Sequence, residues 1–156
     1  MADRAQGGTQ HPVTPIVLQV EGTHRRIRSD LRVLEKSDDL GEIGAAVGEL
    51  PELLKEHFRD EEKPGGLFDE IASLRPVAAS QLALRREEHR EITRALKDLQ
   101  RQLGALGELD QGGGRQRLHD DIRVSKARFL QLIHQHERVE SRMVADTYYT
   151  EDGGSG

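Results

Sequence analysis

No cysteine occurs in this chain of 156 residues, which excludes disulfides, thiolate zinc sites and iron–sulfur clusters. Any bound metal must therefore use nitrogen and oxygen donors. Aromatic side chains are almost as scarce: two tyrosines, three phenylalanines and no tryptophan make up 3% of the residues. With so few rings for base stacking and a net charge of −5, the chain lacks the basic, ring-bearing footprint of a nucleic-acid binder. Arg25, Arg26 and Arg28 form a local basic run, read as a solvated helix face because the apolar residues of that segment point elsewhere. Long hydrophobic runs are missing too. Nothing is long enough to span a bilayer, and the opening MADRAQGGTQHP lacks the apolar stretch of a signal peptide. A soluble cytoplasmic protein with neither a membrane nor a nucleic-acid partner is expected.

What is plentiful is charge, at 33% of residues, together with leucine, alanine and arginine. That composition favours helices over a sheet sandwich, which would need more β-branched and aromatic residues. The length suits one domain with a buried core. The expected organisation is an all-α, antiparallel up-down-up-down four-helix bundle over 14–148, flanked by disordered tails at 1–13 and 149–156.

Apolar spacing locates the helices. Thr14 and Pro15 read as an N-cap and first helical position, followed by Val17, Val20, His24, Ile27, Leu31 and Leu34 at alternating three and four. A second series, Ile43, Val47, Leu50, Leu54, His57 and Glu61, runs to the stop at Lys63-Pro64-Gly65-Gly66, with Pro51 expected to bend it or divide off an early turn. Leu67, Phe68 and Ile71 are assigned to a loop. A third helix from about Pro76 carries Ala78, Leu82, Arg85, His89, Ile92, Leu96, Leu99 and Leu103 until Gly104, Gly107 and the Gly112-Gly113-Gly114 run break it. The fourth carries Leu118, Ile122, Phe129, Ile133, His136, Glu140 and Met143, and ends near Thr147.

Within those series lies a repeated order: one histidine, then His-x-x-x-Glu, then the same again. Residues four apart on a helix share a face, so His57 with Glu61 and His136 with Glu140 can each present an imidazole and a carboxylate to one inward point. His24 and His89 lie early in their helices and the two pairs late in theirs. Alternating helix direction therefore brings all six to one end of the bundle. Two carboxylates buried there without a counter-charge would be costly, and two divalent cations supply it.

The stretches VEGTHRRIRSDLRVLE, LPELLKEHFRDEEKPGGLF, LRREEHREITRALKDL and LIHQHERVESRMV resemble the hemerythrin-like (HHE cation-binding) family, over a body from about Pro15 to Val144. The resemblance implies a non-haem centre of two iron ions joined by an oxo or hydroxo bridge. It makes Glu61 and Glu140 the bridging carboxylates, gives His24 and His57 to one iron, and gives His89 and His136 to the other. Manganese or zinc would be possible substitutes. Oxygen-carrying hemerythrins have a further histidine one turn before the position of His89, where this chain has Arg85. Their last pair is a histidine with an aspartate five residues on, whereas His136 and Glu140 are four apart. The ligand set is more similar to that of iron-centre repair proteins and bacterial hemerythrin-like proteins, although the cysteine-containing N-terminal segment usual in repair proteins is not found here. About five ligands per iron would leave both with an open position, which favours turnover and redox chemistry over storage of an intact gas.

The implied reactants are dioxygen, peroxide or nitric oxide, with oxidative or nitrosative stress defence as the role and reversible oxygen binding, iron holding or sensing as the alternative. Arg85 has two readings. Its stem packs while its guanidinium meets solvent or a carboxylate such as Glu88, or it lies beside the irons as a fixed cation. Glu21 lies off the seam. His11, His119 and His134 read as spectators, Met143 as core filler, and Tyr148 and Tyr149 as packing or exposed residues near the chain's end.

Overall fold

The computed structural model describes residues 11–109 and 113–149. Among them there is no strand, and four long helices form the bundle: α1 (Pro15–Lys36), α2 (Leu40–Glu62), α4 (Ala79–Glu108) and α5 (Gly113–Val144). A short helix, α3 (Leu67–Leu74), and a 3₁₀ turn (Pro76–Ala78) lie between α2 and α4, and a π-helical turn (Ala145–Tyr149) follows α5. Helix α1 packs on α2, α2 on α4, α4 on α5 and α5 back on α1. The tails expected at 1–13 and 149–156 fall largely outside the described residues. No described helix is long and apolar enough to cross a membrane.

The expected seams form the core. Ile27, Leu31, Leu34, Val47, Leu50, Leu54, Ile92, Leu96, Leu99, Phe129 and Ile133 are buried in one cluster along the bundle. A second cluster closes the other end, where Val17, Val20, Leu82, Met143 and Tyr148 meet Leu67, Phe68 and Ile71.

Three local expectations change. Leu67, Phe68 and Ile71 form α3 rather than a loop, because three apolar residues at helical spacing can seal the bundle end only as a helix face. Helix α4 continues through Gly104 and Gly107 to Glu108. Buried Leu99 and Leu106 anchor that stretch and outweigh the roughly 1 kcal/mol each glycine costs. Helix α2 is one element across Pro51, so of the two expectations for that proline the division into a separate early turn is the one that falls. Proline leaves the carbonyl of Val47 without its helical donor, and the side-chain Nε2 of Gln100 on α4 donates to it at 3.4 Å.

At the α2–α3 corner, Gly65 has a φ of 74°, the left-handed region that favours glycine. Gly66 is required by space. A Cβ there would lie 2.6 Å from the carbonyl oxygen of Asp60 and 2.9 Å from that of Glu61. Thr14 holds the N-cap position of α1 but makes no capping bond; its hydroxyl donates to Glu70 on α3 at 2.6 Å. Tyr148 donates to the same carboxylate oxygen at 2.5 Å. Both chain ends of the bundle are thus tied to α3.

Candidate metal centre

Between the two apolar clusters, His24, His57, Glu61, His89, His136 and Glu140 are all buried and meet at one level. Each carboxylate divides its two oxygens between two histidines. Glu61 places Oε1 2.5 Å from Nε2 of His57 and Oε2 2.9 Å from Nε2 of His89. Glu140 places Oε1 3.0 Å from Nε2 of His24 and Oε2 3.0 Å from Nε2 of His136. The result is two four-residue groups, His24–His57–Glu61–Glu140 and His89–His136–Glu61–Glu140. In each, one donor atom per residue lies within 4.8 Å of the others.

These contacts are not ordinary hydrogen bonds. Nε2 of His24 and of His57, and both oxygens of Glu61 and of Glu140, are buried with no hydrogen-bond partner. Lone pairs left unsatisfied in this way are costly, and a cation between them removes the cost. The spacing fits one. Two donors each about 2.1 Å from an ion and at right angles to each other lie about 3.0 Å apart, close to three of the four separations above. Nitrogen and carboxylate oxygen donors suit iron, manganese or zinc.

Without a cation the charges conflict. Burial and the neighbouring Glu140 raise the Glu61 carboxyl well above its usual range. Burial pushes Glu140 the same way, but the His136 and His24 rings 3.0 Å from its oxygens outweigh it and hold that carboxyl well below the usual range. The two carboxyls thus titrate as a coupled pair, with Glu61 the more readily protonated. Burial lowers His57 to about 3 and His89 to about 2, so both imidazoles are neutral and able to bind a metal. At His136 burial is outweighed by Glu140 and Glu88, and its pKa rises.

A second layer of carboxylates acts on the outer ring nitrogens. Nδ1 of His89 lies 2.7 Å from Oε1 of Glu62, and Nδ1 of His136 lies 2.7 Å from Oε2 of Glu88. The other oxygen of Glu88 accepts from Nη2 of Arg85 at 2.8 Å. Arg85 is buried, with Nε and Nη1 unpartnered, and its guanidinium reaches His136 through Glu88. Nothing comparable serves His57, whose Nδ1 is buried and unpartnered. Sequence reasoning missed the roles of Glu62 and Glu88 at the rings. The available signal was position, since Glu62 follows Glu61 and Glu88 precedes His89. A carboxylate one residue from the seam faces the neighbouring helix. Phe58 also went unnoticed: its ring stacks on His89 with centroids 3.8 Å apart, and Phe68 stacks nearby at 5.5 Å.

The residues set aside lie elsewhere. His134 is partly exposed and pairs with Glu35. Tyr149 donates to Glu21 at 3.1 Å, and neither belongs to the two groups. His119 lies on α5 outside both groups, as does His11 before α1. Met143 and Tyr148 pack in the capping cluster. Arg25, Arg26 and Arg28 share α1 with His24 and are exposed, and Arg28 lies near the buried Glu137.

Compared with known families, residues 16–148 match the family model described as Hemerythrin HHE cation binding domain. No curated protein and no solved structure gives a significant match.

Proposed function

The chain belongs to the hemerythrin HHE cation-binding family, and on that premise we propose that it is a cytoplasmic non-haem di-iron protein. It reacts with dioxygen, peroxide or nitric oxide in defence against oxidative or nitrosative stress. One observation carries the reading: Glu61 and Glu140 each turn one unpartnered oxygen toward each histidine pair. That disposition suits two cations sharing both carboxylates. His24 and His57 would hold one iron, His89 and His136 the other.

Bound there, two irons supply one-electron redox steps and open positions for a small ligand. The protein supplies the setting. Neutral His57 and His89 present lone pairs, while Glu62 and Glu88 fix the ring orientation of His89 and His136 and make those imidazoles more basic. Phe58 and Phe68 stack beside the His89 ring and the capping cluster covers one end of the site. No histidine stands one turn before His89, which argues for open positions on both irons and hence for turnover. The enclosed aromatic setting of His89 favours the second reading of reversible oxygen binding, iron holding or sensing.

Anaerobic loading with ferrous iron, followed by metal analysis and optical spectra during exposure to each gas and to peroxide, tests both. Two irons per chain with catalytic loss of peroxide or nitric oxide supports the first reading. A stable adduct without turnover supports the second, and failure to bind iron sinks both.

A further inference from the structure

Along the outside of the bundle, α2 and α4 leave an open groove of about 940 Å³. Its α2 wall carries Lys55, Arg59 and Lys63, and its α4 wall carries Arg90, Arg94 and Lys97. Spacings of three and four hold each set on one helix face. Six cations therefore line this groove against two carboxylates, Glu52 and Glu62, in a chain whose acids outnumber its bases 28 to 23. Such a local reversal of sign draws anions. Lys63 pairs with Asp60, and Arg90 and Arg94 pair with Glu87. Lys55, Arg59 and Lys97 have no ion pair among the described residues, and of these Lys55 and Lys97 stand toward the Gln100 end, away from His89.

The floor between these walls is apolar, formed by Leu54, Phe58 and Leu96. The groove also offers hydrogen-bond acceptors. Gln100 directs its Nε2 to Val47 and keeps its Oε1 as an acceptor, and the carboxylates of Glu52 and Glu62 stand on the α2 wall. The volume lies in the range of small-molecule sites. A fatty-acid anion would bring one charge and no donors, leaving most of the cations and all of the acceptors unmatched. A nucleotide brings a phosphate for the cations, ribose and base donors for the acceptors, and a flat ring for the floor.

We propose that the α2–α4 groove is a binding site for a phosphorylated aromatic nucleotide. Its phosphate lies at the Lys55 and Lys97 end and its ring over Phe58, toward Glu62. The proposal does not depend on the metal reading, because none of the residues it uses is one of the six donors.

The test titrates the full-length protein with flavin mononucleotide, adenosine diphosphate, laurate and inorganic phosphate by calorimetry, with flavin fluorescence as a second readout. Saturable binding of either nucleotide below about 1 mM is expected, weakening as salt is raised. The double variant Lys55→Glu/Lys97→Glu, at exposed positions, should weaken it by about tenfold or more. Arg123→Glu/Arg128→Glu, an equal charge change on α5, should leave it within about twofold. The proposal is overturned if neither nucleotide binds, if the two double variants act alike, or if laurate or inorganic phosphate binds as tightly as the nucleotides.

Discussion

Glu62 reaches from α2 to α4 to set its carboxylate 2.7 Å from Nδ1 of His89, and Glu88 on α4 does the same for His136 on α5. The buried Nδ1 of His57 has no such partner. The two halves of the proposed centre are thus unequal: a carboxylate behind an imidazole fixes its orientation and raises its basicity, worth about ten- to a hundredfold in metal affinity. Glu62→Gln and Glu88→Gln should each weaken one of two bound ions by about that factor, as read by competition with a coloured chelator. If both ions are still held as tightly in both variants, the asymmetry has no energetic content.

Loss of a direct donor should be more severe. His57→Ala and His136→Ala are expected to remove much of the capacity for two irons, measured by metal analysis after anaerobic loading. His134→Ala is the control, since that ring faces Glu35 and is partly exposed. A metal deficit in the control equal to that of His136→Ala would misplace the inward face of α5.

Metal removal should lower the melting temperature, because binding to the folded chain alone adds stability by mass action and the carboxylates lose their counter-charge. The same coupling has a proton signature. Glu61 is held well above its usual pKa in the metal-free fold by burial and by Glu140, so a cation that binds its carboxylate competes with protons there. Ferrous loading in weak buffer should release protons, detected with an indicator dye, and the release should grow as the pH is lowered. No release would mean that the pair is already fully ionised.

The seam histidines and glutamates were legible because each takes a place in an apolar series at alternating three and four spacing, on all four long helices, where burying a polar group is costly unless something binds it. Alternating helix direction then sufficed to bring His24, His57, Glu61, His89, His136 and Glu140 to one level. What was not legible depends on partners far away in sequence. Continuity of α2 across Pro51 relies on Gln100, α3 gains its reason only from the Val17, Leu82 and Met143 surface it covers, and Glu62 acquires a role only once His89 is opposite. Local glycine content likewise failed to end α4, since Leu99 and Leu106 fix that stretch through tertiary packing.

Gly66 gives a prediction on folding rather than ligation. Its α-carbon sits so close to the carbonyls of Asp60, Glu61 and Lys63 that Gly66→Ala must push backbone aside beside the Glu61 donor. A loss of about 1–3 kcal/mol in urea unfolding is expected. Gly65→Ala should also destabilise, through its φ of 74° rather than through contact, by about 1–2 kcal/mol. A neutral Gly66→Ala would mean that the α2–α3 corner can relax at little cost.

Arg85 stands one turn before His89, and its guanidinium is 2.8 Å from Glu88 rather than among the six donors. Two of its donor nitrogens are buried without partners, so Arg85→Met, which keeps the stem's volume, should change stability little. Its effect on metal affinity should run through Glu88, which needs Arg85 on one oxygen to hold the other against His136. Arg85→Met alone is therefore expected to weaken one ion by several-fold, less than Glu88→Gln does. In the Glu88→Gln background it should do nothing more, because the group it positions is already neutral. A double-mutant cycle in chelator competition makes that comparison. Additive losses would instead place the Arg85 cation in direct interaction with what binds at the centre, the alternative reading of this residue.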